Sequence, residues 1–262
     1  MTPKVFVYFI LAWGKVVTEA YYRRVQFWWL RLRGRPEKVE EIILARIRVL
    51  TRFMFNIQHC QVWVEGLENV PPSGPLVMIA NHQSMYDNPL MLGYMGRKTT
   101  FLAKKELWRV PGLGYWMTQM NCRPINRQDK RSAKHLMVEL GHEIHQSGEA
   151  LVVFPEGTRT KDPDRKINPF KHGFLRLTQT HNIPILPVCL DGTRLLNDSK
   201  AMARTKNGGR VVRVKILPPI YPPPEGMEER EFINGVRDTI IAEWEKLKVD
   251  WPVAGEPPGQ KG

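Results

Sequence analysis

A histidine and an aspartate stand five residues apart after an apolar run, in the block NHQSMYD at positions 81–87. On a continuous helix this spacing would put His82 and Asp87 about 140° apart, so they would not share a face. They can meet only across a turn. A helix beginning near Asp87 would supply that turn, because Pro89 is tolerated in a first helical turn. The pair is then a candidate general base with its orienting carboxylate. The alternative is an N-cap role for Asp87 and a structural role for His82.

A second block, FPEGTR at positions 154–159, also ends an apolar run. Gly157 allows the backbone to approach a ligand closely, and Arg159 offers a planar fork suited to phosphate. Backbone N–H groups near Gly157 are candidates for stabilising a developing oxyanion. Basic side chains follow at Lys161, Lys166 and Lys171. The alternative is an ordinary strand-ending turn with a solvated basic loop.

Two further basic segments lie between these blocks, Lys104 with Lys105 and the stretch RPINR from Arg123 to Arg127. Each follows a plausible strand, so both are candidates for lining an anion pocket. The alternative is a solvated face, which is the more common fate of a charged run. No G-x-S-x-G pattern accompanies them, so the sequence does not favour an acyl-enzyme on serine.

The elements that must position these residues follow an alternating pattern from residue 58 onward. Predicted strands cover residues 62–64, 76–80, 99–103, 150–154, 185–190 and 211–216, and predicted helices cover 129–146 and 230–248. Such alternation is typical of an α/β domain. We therefore predict one α/β domain over residues 58–249, with a mixed, largely buried β-sheet flanked by helices, and a disordered tail over 250–262.

Residues 1–57 have a different character and predict an amphipathic helical hairpin. Large apolar side chains alternate with basic ones over residues 1–35, where Glu19 is the only acid. A second helical pattern runs over residues 37–57. Trp and Tyr prefer the lipid headgroup level and Arg is drawn to anionic lipid, so the functional interpretation is a hairpin in the membrane interface. The alternative is a helix pair packed on the domain or on a partner.

Composition limits the classes of partner and compartment. The formal net charge of +13 attracts polyanions, which include nucleic acid, anionic lipid and acidic carrier proteins. The apolar run over residues 5–13 is about half the length that a membrane-spanning helix needs. Cys60, Cys122 and Cys189 are odd in number and widely spaced, which indicates neither a disulfide framework nor a zinc site and favours a reducing compartment.

Taken together, the blocks resemble the glycerolipid acyltransferase superfamily, and most closely its 1-acylglycerol-3-phosphate acyltransferases. The N-H-x4-D motif matches Asn81, His82 and Asp87, and the F-P-E-G-T-R motif matches residues 154–159 without departure. The Arg-rich stretch 123–127 and the Pro-rich strand 183–188 match less specifically. The resemblance covers about residues 62–220, and the N-terminal hairpin also resembles that of bacterial members.

The resemblance implies roles for individual residues. His82 would act as general base on the acceptor hydroxyl while Asp87 orients it. The residues implied to bind the glycerol phosphate are Glu156, Gly157 and Arg159, with Arg123, Arg127 and Lys105.

The implied reaction is attack by the free hydroxyl of 1-acylglycerol 3-phosphate on an acyl thioester of coenzyme A or acyl-carrier protein, giving phosphatidic acid. The resemblance implies no metal, no redox cofactor and no nucleic-acid partner. It places the enzyme on the cytoplasmic face of a membrane with anionic lipids, as a peripheral or monotopic protein. Two rival interpretations stay open: the same chemistry on another lysophospholipid or a lyso-aminolipid, and a non-catalytic protein that binds anionic lipid or nucleic acid through its charge.

Overall fold

The computed structural model describes residues 3–125, 130–160, 167–197, 210–223 and 229–249. The helices in these ranges are α1 Pro3–Leu32, α2 Pro36–Asn56, α3 Asp87–Tyr94, α4 Leu113–Gln119, α5 Lys130–Ser147, α6 Gly173–Gln179 and α7 Glu229–Val249. The strands are β1 Cys60–Glu65, β2 Leu76–Ala80, β3 Thr99–Lys104, β4 Arg123–Ile125, β5 Ala150–Val153, β6 Ile185–Asp191 and β7 Arg210–Ile216.

The six predicted strands and the predicted helices are present, and the α/β class with its two N-terminal helices is confirmed. Sequence patterns did not reveal β4, α4 or α6. Strand β4 has three residues, one of them Pro124, so it is too short to show an alternating pattern. The division of the chain at residue 57 stays a prediction, and the tail over 250–262 lies outside the described residues.

The strands form one mixed sheet in the order β1-β7-β6-β2-β5-β3-β4. From β6 to β4 all neighbouring strands are parallel, whereas β7 runs antiparallel to β6 and parallel to β1. The carboxyl ends of β2, β3, β4, β5 and β6 therefore meet at one edge of the sheet. Ligands of open α/β sheets bind at that edge, so a functional site is expected there.

Both faces of the sheet are buried, and β2 shows the division. Leu76, Met78 and Ala80 face the core shared with the N-terminal helices, whereas Val77 and Ile79 face the core shared with α5, α6 and α7. A strand covered on both faces is expected to be continuously apolar, and all five residues of β2 are fully buried. The site at its carboxyl end therefore stands on a rigid support.

Helices α1 and α2 pack on the first of these cores. Phe27 is fully buried, with its ring centroid 6.4 Å from that of Tyr115 and 6.5 Å from that of Trp116. Trp116 Nε1 donates to Val16 O at 3.2 Å. Gly112 has φ +77°, and a Cβ there would lie 2.9 Å from Val17 Cα, so glycine permits this close approach. The predicted alternative of helices packed on the domain therefore holds for one face of α1.

The opposite face of α1 is exposed and apolar. Tyr21, Tyr22, Val25, Trp28 and Leu32 are each more than 60% exposed. In the described ranges, no helix is both long enough and apolar enough to cross a membrane. Contact of this face with a membrane surface stays a prediction.

Candidate active site

The loop that follows β2 is anchored at its start by Asn81. Its side-chain Nδ2 donates to Leu190 O at 2.9 Å, and Leu190 N donates to its Oδ1 at 2.8 Å. The amide thus imitates one more pair of backbone hydrogen bonds between β2 and β6. This pairing fixes the position from which His82 leaves the strand.

His82 and Asp87 form the predicted pair. His82 Nδ1 lies 2.7 Å from Asp87 Oδ2, and the aspartate is completely buried while the histidine side chain is 10% exposed. A carboxylate partner favours the tautomer with its proton on Nδ1, which leaves a lone pair on Nε2. The ring also stacks on Phe154, with centroids 4.3 Å apart and planes 23° from parallel. Imidazole orientation is therefore constrained in two independent ways.

The Asp87 carboxylate is surrounded by donors. Oδ2 also accepts from the backbone N–H groups of Gln83 at 2.7 Å and Ser84 at 2.8 Å, and Oδ1 accepts from Thr193 Oγ1 at 2.5 Å. An ionised carboxylate only accepts, so this environment suits it. Asp87 opens α3, but its carboxylate turns back to the preceding loop rather than capping the helix. The geometry thus favours the paired interpretation over the N-cap.

Glu156 joins the loop after β5 to the loop after β2. It is 3% exposed; Oε1 accepts from His82 N at 2.6 Å, and Oε2 accepts from Thr160 Oγ1 at 3.1 Å and Asn168 N at 3.0 Å. Thr160 N in turn donates to His82 O at 2.9 Å. The structure gives this carboxylate protein partners on both oxygens. Its role in holding phosphate stays a prediction, and like-charge repulsion weighs against it.

The loop after β5 also carries exposed cationic side chains. Gly157 has φ +68°, and a Cβ there would lie 2.5 Å from Lys171 Nζ, so glycine leaves room for that ammonium group. Lys171 N donates to Pro155 O at 3.0 Å, which ties the lysine to the same turn. The side chains of Arg159 and Lys171 are exposed. They provide positive charge in the loop that is bonded to His82.

The predicted oxyanion donor near Gly157 finds another partner, because Gly157 N donates to Phe154 O at 3.0 Å. That N–H closes the turn of the FPEGTR block. It is therefore engaged within the protein, and the sequence expectation for this particular group is not supported.

The other described residues predicted to bind anions do not share one place: Lys105 stands at the carboxyl end of β3, whereas Arg123 is the first residue of β4 and pairs with Leu102, two positions before the end of β3. Lys105 follows β3 directly and is exposed. Arg123 begins β4, and its Nε and Nη2 lie 2.9 and 2.8 Å from Glu143 Oε2. Its guanidinium also donates to Asn121 O. Arg127 lies outside the described residues. The substrate-binding roles of these three residues stay predictions.

Sequence reasoning missed Thr193, whose hydroxyl completes the shell around Asp87. It stands just beyond β6, 106 positions after the aspartate. No local pattern marks it. Only the adjacency of β6 and β2 brings the two together.

In the ranges that the structure covers, no three His, Cys, Asp or Glu side chains are arranged to hold a metal ion. The independence of the reaction from metal and redox cofactors stays a prediction.

Comparison with known proteins places this geometry in a family. The profile of the family described as Acyltransferase matches residues 61–191. The chloroplastic 1-acyl-sn-glycerol-3-phosphate acyltransferase BAT2 of Brassica napus is 33% identical over 159 residues, which are 60% of this chain and 44% of the relative. The corresponding Saccharomyces cerevisiae enzyme is 34% identical over 183 residues, covering 69% of this chain and 58% of the relative. The chain thus spans less than half the length of the plant relative.

A solved structure is similar over nearly its whole length. It is the 1-acyl-sn-glycerophosphate acyltransferase PlsC of Thermotoga maritima, with a TM-score of 0.78, 27% identity, and coverage of 95% of this chain and 96% of that chain. The family profile covers half of the present chain and contains both strand-end loops, with His82, Asp87 and Glu156 inside it. The chain therefore belongs to the Acyltransferase family.

Proposed function

We propose that this protein transfers a fatty acyl group from a thioester of coenzyme A or acyl-carrier protein to the free hydroxyl of 1-acylglycerol 3-phosphate, forming phosphatidic acid. The observation that carries the proposal is the His82–Asp87 pair, held at 2.7 Å and bonded to a loop with exposed cationic side chains. The names of the plant and yeast relatives support the choice of acceptor.

In the proposed reaction, His82 Nε2 takes the proton of the acceptor hydroxyl as its oxygen attacks the thioester carbonyl. The new C–O bond gives a tetrahedral intermediate; the C–S bond then breaks, and the imidazolium returns the proton to the departing thiolate. Asp87 holds the ring and stabilises its charged form. Positioned proton transfer of this kind contributes about 10²- to 10⁴-fold.

The acceptor itself is the proposed nucleophile, because Ser84 and Cys122, which could in principle carry an acyl group, are both enclosed. Ser84 is fully buried, and its Oγ accepts from Tyr86 N at 3.3 Å. Cys122 is buried, and burial raises the pKa of its thiol to about 12, which leaves little thiolate at neutral pH. An acyl-enzyme on either residue is disfavoured.

Arg159 and Lys171 are the proposed partners of the acceptor phosphate. A guanidinium can make two parallel hydrogen bonds to a phosphate monoester, and an ammonium adds a point charge. Lys105, Arg123 and Arg127 are further proposed partners of the phosphate. The exposed face of α1 is proposed to contact the cytoplasmic surface of a membrane with anionic lipids, where the lipid substrates reside.

The test is an assay of purified protein with a panel of lysolipids, each offered with coenzyme A and carrier-protein thioesters. We expect lysophosphatidic acid to be the best acceptor and His82→Ala to remove the activity. A preference for acceptors without a phosphate monoester would favour the rival lysolipid. Lipid binding without transfer to any acceptor would favour the non-catalytic rival.

A further inference from the structure

A second basic region lies away from the dyad, in a groove between α1 and the segment 108–119. The groove encloses about 760 Å³. Its lining contains the arginines Arg24, Arg31 and Arg109, the indoles Trp28 and Trp108, and no acidic side chain among the described residues. No described residue of the loops after β2 and β5 contributes to it. The groove is therefore a separate place where an anion would be attracted.

Tyr115 lines the groove and carries an unsatisfied polar atom. Its hydroxyl is buried and has no hydrogen-bond partner within the described part of the chain. The ring is held by packing on Phe27 at 6.4 Å and on Trp116 at 5.8 Å, and the Arg24 guanidinium lies over it at 5.8 Å. A buried hydroxyl without a partner is unfavourable, so a ligand in the groove that accepted its hydrogen would be stabilised.

Several guanidinium groups act on the same phenol oxygen. Burial raises the pKa of Tyr115, and the charges of Arg31, Arg24 and Arg23 oppose that rise. Arg31 Nη2 donates to Gln119 Oε1 at 2.8 Å, an exposed neutral acceptor. Arg23 is turned away into a bond with Glu19 at 3.1 Å. Within the described ranges, Arg24 and Arg31 therefore supply positive charge near the hydroxyl that no carboxylate neutralises.

The rim of the groove is apolar and continues along α1. Trp28 is 61% exposed and Leu32 is 67% exposed, and both line the groove while belonging to the open face of the helix. A soluble anion would leave this apolar rim exposed to water, whereas the acyl chains of a lipid would cover it. Indole rings are also typical of the headgroup level of a bilayer. The surroundings thus select an amphiphilic anion.

We propose that this groove binds the phosphate group of an anionic diacyl glycerophospholipid of the membrane, as a site separate from the catalytic one. Arg24 and Arg31 engage the phosphate oxygens, the Tyr115 hydroxyl donates to one of them, and the acyl chains lie along the exposed side chains of α1. The inference rests on the proposed membrane contact of α1 and gives that contact a specific headgroup preference.

The first test measures partition of the full chain into vesicles of phosphatidylcholine alone and of phosphatidylcholine with phosphatidylglycerol at a 7:3 ratio. Arg24→Gln with Arg31→Gln is compared with Arg33→Gln with Arg35→Gln, which removes the same charge from exposed positions of the turn after α1. Non-specific attraction falls equally in both variants. We expect the groove variant to lose at least about tenfold more affinity for the anionic vesicles than its control, because it also loses charge-assisted hydrogen bonds.

Three outcomes would overturn the inference. Equal losses in the two variants would leave only general charge attraction, while the membrane contact itself would stand. Failure of the wild-type chain to bind either vesicle would remove the membrane contact as well. A groove variant with unchanged partition but a raised KM for lysophosphatidic acid would assign the groove to the acceptor.

Tyr115→Phe supplies a second test, in which the Tm should rise while the affinity for anionic vesicles should fall. Without lipid, the variant loses an unsatisfied hydroxyl and keeps the ring packing, so its Tm should rise by about 2–4 °C. Its affinity for the anionic vesicles should fall by about two- to tenfold, because one hydrogen bond to the headgroup is lost. A lower Tm, or unchanged affinity, would contradict the site. Stabilisation of wild-type protein by inorganic phosphate that is lost in the groove variant would assign the groove to a soluble anion instead.

Discussion

The loops after β2 and β5 lie side by side at the same edge of the sheet, yet they are built differently. In the first loop the polar side chains are buried, and Asp87 accepts from four donors at once. In the second loop the Glu156 carboxylate is buried, whereas the side chains of Arg159 and Lys171 are exposed. The contrast suggests a division of labour: one loop positions the group that moves a proton, and the other presents charge to a substrate.

Two hydrogen bonds tie the loops together through the backbone of His82. The Glu156 carboxylate accepts a hydrogen bond from the His82 N–H, and the His82 carbonyl accepts one from Thr160 N. A change in the exposed half of the second loop should therefore alter substrate affinity, whereas a change at the tie should disturb the base. The following substitutions separate these two effects.

His82→Ala is expected to give the largest effect. Removing the base should lower kcat by about 10²- to 10⁴-fold or more. The substitution keeps the backbone hydrogen bonds of residue 82 to Glu156 and Thr160, so the fold should persist. Steady-state kinetics and the thermal unfolding temperature measure the two properties. Turnover close to that of wild type would remove His82 from the mechanism.

Arg159→Ala should mainly weaken use of the acceptor. Loss of a charge-assisted contact in a partly desolvated site costs about 2–4 kcal/mol in kcat/KM, or roughly 30- to 1,000-fold. Arg159→Lys keeps the charge without the fork and should be impaired less. The KM for the acyl thioester should change little in both. A rise confined to the KM for the acyl thioester would show that Arg159 binds the thioester rather than the acceptor.

Glu156→Gln tests the tie between the loops. The amide can still accept from His82 N, but its NH₂ group then faces the Asn168 N–H, so two donors oppose each other. We expect kcat to fall by about 10- to 100-fold through displacement of His82, with the acceptor KM nearly unchanged. A large rise in the acceptor KM with normal kcat would instead support the phosphate-binding role that the resemblance implies.

Thr193→Val should give the smallest effect. It removes the hydroxyl that donates to Asp87 Oδ1 while keeping a similar volume in a fully buried position. The carboxylate keeps its other donors, so kcat should fall by about three- to thirtyfold. Thr193→Ser restores the hydroxyl and should recover most of the rate. Equal kcat values for the valine and serine variants would show that the hydroxyl does not position the pair.

The structural features that the sequence predicted are local ones. The five-residue spacing of His82 and Asp87, followed by Pro89, requires a turn, and the continuous apolar run of β2 indicates a buried strand before it. Such patterns predicted the described strands except β4 and the described helices except α4 and α6. The resemblance then supplied the chemistry.

The contacts that the sequence did not predict join segments far apart in the chain. Asn81 with Leu190, His82 with Glu156 and Asp87 with Thr193 are separated by 109, 74 and 106 positions. These contacts depend on β2 lying between β6 and β5, and strand order has no signature in a local pattern. Similarly, alternation of charge and aromatic groups in α1 did not distinguish its packed face from its exposed one.

The most direct test of the division of labour is the single-turnover rate of His82→Ala and Arg159→Ala, measured side by side at rising lysophosphatidic acid concentration. We expect Arg159→Ala to approach the wild-type rate as lysophosphatidic acid saturates the enzyme, whereas His82→Ala should stay slow at every concentration. Recovery of His82→Ala at high acceptor concentration, with Arg159→Ala remaining slow, would contradict this division of labour.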